Sequence, residues 1–245
     1  MKKNNQKVVM ELVYGVHPVR ELLAQKKRRI YDVLTLVNEP QLWSQIEPLL
    51  PKYPFAIHRL ARPTLSERIG TTDHQGIAVL AEPFQYRKKF FDPKKEPFLI
   101  MVDGIQDVRN LGAIIRSAYC TGADGVILMQ RQGASLNAAA LKASAGLAER
   151  MSIYLAISPA VALAELRQAG YENIYVAALS KDANAYTLAY KKPLCLVIGS
   201  EGTGVSQVTL KTGTIVTLPQ KTADISYNAS VAAGILLSII ASKAE

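Results

Sequence analysis

The chain has 245 residues, 49% of them apolar and 20% charged. That is enough to bury one large core or two modest ones, and it is not the composition of a disordered protein. No apolar stretch reaches the roughly 18 residues of a membrane span. The start, MKKNNQKVVMELVYG, shows no apolar run followed by a small-residue cleavage site. The two cysteines, Cys120 and Cys195, offer neither a disulfide framework nor a metal-ligand spacing, so no metal is expected and the cytoplasm is the expected location. The formal charge of +9 is unevenly spread. Residues 1–97 hold 17 Lys/Arg against 10 Asp/Glu, whereas residues 98–245 hold 12 against 10. A basic excess attracts polyanions by releasing condensed counterions, but a merely well-solvated surface reads the same way.

In chain order, the pattern predicts a helix over Pro18–Gln25, a strand over Tyr31–Val37, a helix over Gln41–Leu50, and strands over Phe55–His58 and Gly76–Leu80. This is a small α/β unit, residues 1–80. The stretch Ala81–Pro97 carries three prolines and five Lys/Arg without periodicity and reads as a linker. Beyond it, short apolar runs at Phe98–Val102, Gly125–Met129, Ile153–Ala156, Ile174–Ala178, Leu194–Ile198 and Ile215–Leu218 alternate with helical patterns. Three of these patterns stand out, at Leu111–Cys120, Pro159–Ala169 and Ala229–Ala241. Continuous apolar strands separated by helices indicate a mostly parallel sheet covered on both faces, residues 98–245. Such sheets bind ligands beyond the carboxyl ends of their strands.

Three segments bring small or polar residues to those strand ends. In VDGIQDVRNLGAIIRSA, Asn110 fits a helix N-cap and Leu111, Ile114, Ile115 and Ala118 form the buried face. Arg116 then lies about 140° around the helix from Leu111, aimed away from the core. In LCLVIGSEGTGVS, a buried strand runs into a glycine loop that is neither a Walker loop nor a dinucleotide fingerprint. Glu201 within it would repel a phosphate and suits a cationic or hydroxyl-bearing partner better. In LPQKTADISYNASVAAGILLSIIASK, Ser226–Asn228 leads into a helix that is apolar nearly all round, hence buried in the core or at a subunit contact. Read singly, the three are two helix caps and a tight turn.

Read together, the order NLGAIIR, IGSEGTG and LP…SYNASVAAG resembles the SpoU (TrmH) family of SPOUT methyltransferases. The loop KASAG at Lys142–Gly146 resembles it too, and YGVHPVRELL (Tyr14–Leu23) and DHQGI (Asp73–Ile77) are similar to the small substrate-binding domain of its ribosomal RNA members. The resemblance runs from about Tyr14 to Ala241. It implies a parallel α/β domain with a C-terminal trefoil knot, preceded by a small α/β substrate-binding domain. It also implies transfer of a methyl group from S-adenosylmethionine to a ribose 2′-hydroxyl of RNA, with guanosine in 23S ribosomal RNA the expected target. A transfer RNA substrate and a non-catalytic RNA-binding relative are the alternatives.

Carried over by position, the resemblance implies a catalytic set of Asn110, Arg116, Glu201, Ser226 and Asn228. Gly199, Leu218 and Tyr227 would contact the cofactor, largely through backbone groups. Tyr227 stands where the family usually has leucine, which bears on the pocket's shape. A homodimer is expected, and the basic N-terminal unit should select the RNA. His17, His58 and His74 fall in that unit, away from the three segments, and read as structural.

Overall fold

The computed structural model describes residues 9–38, 40–131, 133–180, 183–222 and 225–244. The chain divides into two compact units, Met1–Gln85 and Tyr86–Glu245.

The first unit runs β1 (Glu11–Tyr14), α1 (Val16–Gln25), β2 (Ile30–Leu36), α2 (Pro40–Ile46), β3 (Ala56–Leu60), α3 (Arg62–Ile69) and β4 (Ile77–Ala81), with one 3₁₀ turn at Glu47–Leu49. Its four-stranded sheet has the order β1-β4-β2-β3. β4 is antiparallel to both neighbours and β3 is parallel to β2. Pro18, Val19, Leu22 and Leu23 form the buried face of α1, which ends where Lys26 turns into the left-handed region. On the other side of the sheet, α3 buries Leu65 and Ile69 against Leu34, Leu36 and Ala78. The DHQGI segment is structural here. Gly76 N–H donates to Nδ1 of the fully buried His74 at 2.9 Å, so Nε2 carries the ring proton and faces Ser66 Oγ at 2.9 Å.

The second unit runs β5 (Phe98–Asp103), α4 (Val108–Cys120), β6 (Gly125–Met129), α5 (Ala138–Ala143), β7 (Ser152–Ala156), α6 (Pro159–Ala169), β8 (Asn173–Ala177), β9 (Leu194–Gly199), α7 (Gln207–Leu210), β10 (Thr214–Val216) and α8 (Ala229–Lys243). Its six strands are all parallel, in the order β10-β8-β9-β5-β6-β7. The chain builds outward from β5 through β6 to β7, then crosses to the other side and places β9 between β8 and β5. The reversal next to β5 is the kind of switch point where open α/β sheets hold ligands. Leu99, Met101, Ile127, Val176 and Val197 pack with Leu163 and Leu166 of α6 in one core cluster. Gly112 lets α4 approach α5 closely: a Cβ there would lie 2.5 Å from Ala140 O and 2.9 Å from Ser144 N. This contact accounts for the KASAG segment, whose Ser144 is buried at the end of α5.

Most of the segment read as a linker is built into the second unit. Arg87 donates its backbone N–H to Ile153 O at 2.9 Å, and its guanidinium reaches both oxygens of Glu96 at 2.5 and 3.2 Å. The same group lies 4.2 Å from the centroid of the Phe91 ring, which is buried in the core. The proline and lysine content that marks a linker therefore coexists with a paired arginine and a buried aromatic.

Candidate active site

The carboxyl ends of β8, β9 and β10 meet around a cavity of about 440 Å³, within the range of small-molecule pockets. Its wall is mainly apolar and backbone: Ala177–Leu179 after β8, Ile198–Glu201 and Thr203–Val205 at the end of β9, Val216, Leu218 and Gln220 from β10 onward, and Ser226, Tyr227, Ala229, Ala232 and Leu236 at the start of α8.

The glycine loop after β9 is closed by its own backbone. Ser200 N–H donates to Gly204 O and Gly204 N–H to Ser200 O, both at 3.0 Å. Ser200 Oγ also accepts from Thr203 N at 3.2 Å. The fold-back leaves no room for a side chain at Gly199, where a Cβ would lie 2.6 Å from Gly204 O and closer still to Gly204 C and Val205 N. The loop is then tied to β5 by Asp103, only 3% exposed. Its Oδ2 accepts from Ser206 N at 2.9 Å, Ser206 Oγ at 2.8 Å and Thr209 Oγ1 at 2.7 Å. Three donors on one carboxylate oxygen tie the segment after β9 to the end of β5.

Of the residues expected from sequence, Gly199, Glu201, Leu218, Ser226 and Tyr227 share the wall of this cavity. Asn110 is joined to them because its Nδ2 donates to Glu201 Oε1. It is not the helix N-cap; Asp107 is, accepting from Arg109 N at 2.7 Å. The helix begins one turn earlier than its apolar face, so Asn110 lies inside the first turn and its amide is free to serve the site. Asn228 is outside the wall and caps α8, its Oδ1 accepting from Ser230 N at 2.9 Å and Ser230 Oγ at 2.7 Å. Arg116 is exposed on α4, is not part of the wall, and among the described residues makes no hydrogen bond or ion pair. Six residues separate it from Asn110, about 9 Å along the helix axis.

Two residues were not anticipated. The Asp103 clamp had a local signal, an acid at the end of a fully apolar strand. Gln220 had none: its Nε2 is buried without a hydrogen-bond partner, in the wall of the cavity. An orphaned amide in a mainly apolar pocket fits a ligand that is partly apolar and carries polar acceptors, as the adenosine part of S-adenosylmethionine does. Tyr227, 43% exposed, extends its hydroxyl to Pro219 O at 3.3 Å and so braces the same turn. Among the described residues, no group of His, Cys, Asp and Glu could hold a metal ion, and no helix is long and apolar enough to cross a membrane.

The chain is similar to known proteins along nearly its whole length. Residues 97–238 match the model of the SpoU rRNA Methylase family, and residues 12–87 match that of the RNA 2′-O ribose methyltransferase substrate binding domain. The 23S rRNA (guanosine-2′-O-)-methyltransferase RlmB of Escherichia coli strain K12 is 31% identical over 239 residues, 93% of this chain and 96% of that protein. The protein of the same name from Yersinia pestis is 30% identical over 93% of this chain and 95% of its own length. The fold is that of the SpoU methyltransferase AviRb from Streptomyces viridochromogenes in complex with AdoMet, with a TM-score of 0.79 at 20% identity over 95% of this chain and 89% of that one. A parallel sheet with its ligand cavity at the strand ends, an Asn110–Glu201 contact beside it and a family model covering more than half the length lead to one assignment: the chain belongs to the SpoU rRNA methylase family.

Proposed function

We propose that this methyltransferase modifies the ribose 2′-hydroxyl of a guanosine in 23S ribosomal RNA. The observation that carries the proposal is the joining of three distant strand ends, through Asn110, Glu201 and Ser226, at one apolar cavity of cofactor size. The substrate is argued from the two RlmB relatives, which align over nearly their entire length. Action on ribosomal RNA fits the cytoplasm expected from the sequence.

S-adenosylmethionine supplies an activated methyl group. Gly199, Leu218 and Tyr227 would hold it, with Gln220 donating to one of its acceptors. Methyl transfer to a hydroxyl needs the two partners held in line and the hydroxyl proton passed to solvent water as the oxygen–carbon bond forms. Glu201, oriented by Asn110, and Ser226 would fix the ribose. Asn228 would keep the loop before α8 in shape by capping the helix. Arg116, exposed and without a partner, would grip the neighbouring phosphate and stabilise charge developing on the 2′-oxygen. Guanidinium stays protonated throughout the usable pH range, so it serves as a clamp and not as a base.

A homodimer and a threaded C-terminal knot belong to the same reading. Ile225, Tyr227 and Val231 are exposed apolar residues around the start of α8, which suits a subunit contact. Ala178 N–H donates to Val216 O, Thr217 N–H to Ala183 O and Ala185 N–H to Thr217 O, so residues before and after positions 181–182 both bond at the end of β10, as a threaded chain requires.

The test is transfer of labelled methyl from S-adenosylmethionine into ribosomal and transfer RNA purified from cells lacking the gene. Label in 23S RNA is expected, whereas label confined to transfer RNA would replace the substrate. For the clamp, Arg116→Lys should lower kcat by at least about tenfold with cofactor affinity intact, because lysine cannot make the bidentate grip.

A further inference from the structure

The first unit holds a second cavity, about 340 Å³, between the end of α1 and the segment after the 3₁₀ turn. Leu22, Leu23 and Ile30 line it with apolar surface, and Lys26, Lys52 and Tyr53 stand at its edge. Lys26 occupies the left-handed turn that ends α1, with φ of 53°. Tyr53 is pinned across the cavity mouth, its hydroxyl oxygen accepting the Ile30 N–H at 2.8 Å. Arg29 stands beside the cavity without lining it, whereas the neighbouring Arg28 is part of the lining. The Arg29 guanidinium lies 5.6 Å from the Tyr53 ring centroid and 5.8 Å from that of Tyr31. Phe55 packs edge-on against Tyr53, with centroids 6.5 Å apart.

The charges here are unevenly committed. Arg28 is buried and paired with Glu11 at 2.9 Å, and Glu82 accepts the backbone N–H of Arg29 at 3.2 Å. Among the described residues, the side chains of Lys26, Arg29 and Lys52 make no hydrogen bond or ion pair. A largely apolar cavity edged by a pinned tyrosine and two uncommitted lysines, with Arg29 beside that tyrosine, matches a nucleotide, which has a flat base and an anionic phosphate on either side. Base–aromatic stacking and phosphate contacts of this kind are the usual terms of single-strand binding. An acidic peptide would satisfy the cations but leave the apolar part of the cavity unused.

We infer that this cavity takes one unpaired nucleotide of the RNA substrate, the base against Tyr53 and the flanking phosphates on Lys26, Arg29 and Lys52. The inference rests on the RNA methyltransferase reading for the identity of the polyanion, and it assigns the part of the N-terminal unit that touches RNA.

The test uses the full chain and a fluorescein-labelled single-stranded RNA of mixed sequence, with binding followed by anisotropy against salt concentration. Lys26→Glu with Lys52→Glu should weaken binding by about tenfold or more and lower the salt slope by about 1.4, since each single-strand phosphate contact contributes about 0.7. Lys26→Arg with Lys52→Arg should bind as wild type, which separates charge from folding. Unchanged affinity and slope in the glutamate variant would overturn the inference, as would equally tight binding of a polyglutamate peptide. For the base, RNA carrying 4-thiouridine should crosslink to the peptide containing Tyr53; crosslinks only elsewhere would remove the nucleotide from this cavity. In methyl transfer, the glutamate variant should raise KM for 23S RNA without changing kcat at saturation. If wild type binds RNA in this charge-dependent way but transfers no methyl, the activity falls and the cavity stands. If the variant transfers methyl with wild-type KM, the cavity falls and the activity stands.

Discussion

Gly199→Ala is the change whose consequence follows most directly from the geometry. The added methyl would be 2.6 Å from Gly204 O and nearer to two further backbone atoms, so no side-chain rotation can relieve it. The loop must open. Opening breaks the two backbone hydrogen bonds between Ser200 and Gly204, worth about 1 kcal/mol each. Overpacking a tight site costs about 1–3 kcal/mol by a separate line of argument, and the two figures meet near 2 kcal/mol. Because Glu201, Gly202, Thr203 and Gly204 are exposed, opening leaves the core packing intact. Circular dichroism should therefore be unchanged, with the melting temperature down by about 4–8 °C. Closing the loop around the cofactor brings back the backbone overlap that opening relieved, so the dissociation constant for S-adenosylmethionine should rise by about tenfold or more. Isothermal titration calorimetry measures it directly. A Gly199→Ala protein that binds the cofactor within twofold of wild type would refute the claim that this fold-back shapes the pocket.

Three other perturbations probe the supports of the site. Asp103→Ala strips the acceptor from Ser206 N, Ser206 Oγ and Thr209 Oγ1 and should cost about 3 kcal/mol in urea unfolding; a loss under about 1 kcal/mol would mean that these donors find other partners. Gly112→Ala should destabilise by about 1–3 kcal/mol through its overlap with α5, while Gly202→Ala, with nothing within 4 Å, should unfold like wild type; equal effects from the two would undo the packing explanation. Cys195 is fully buried and burial pushes its thiol well up, whereas Cys120 is exposed. Ellman's reagent should therefore titrate one thiol quickly in the native protein and two in denaturant, and two fast native thiols would contradict the placement of β9 in the core.

The strands of the second unit were legible because each is a buried apolar run bounded by turn residues, and all six are present within two residues of expectation at each end. What local pattern could not reach was short or non-local. β1 and α7 have four residues each and α5 six, too few to display a period. α3 is largely polar on its outer side and offers little apolar stripe. Asn110 reads as a cap because Val108 and Arg109 precede the apolar face, and periodicity does not register a first turn with no fully buried residue. The cavity posed a different difficulty. Its wall joins Ala177–Leu179 to the glycine loop after β9, to Val216, Leu218 and Gln220, and to the start of α8, a meeting that depends on β9 entering between β8 and β5. Strand order of that kind is set by whole-domain packing and leaves no mark in the segments themselves. Gln220, polar in a polar loop, became visible only as a buried amide without a partner.

The central claim, methyl transfer to a ribose oxygen and not to a base, has a direct chemical test. Alkali cleaves RNA through the free 2′-hydroxyl, so a 2′-O-methyl group protects the bond that follows it. After transfer of labelled methyl into 23S RNA and complete alkaline hydrolysis, the account predicts label in alkali-resistant dinucleotides whose 5′ residue is 2′-O-methylguanosine. Label released in mononucleotides would mean that a base had been methylated, and would contradict the account.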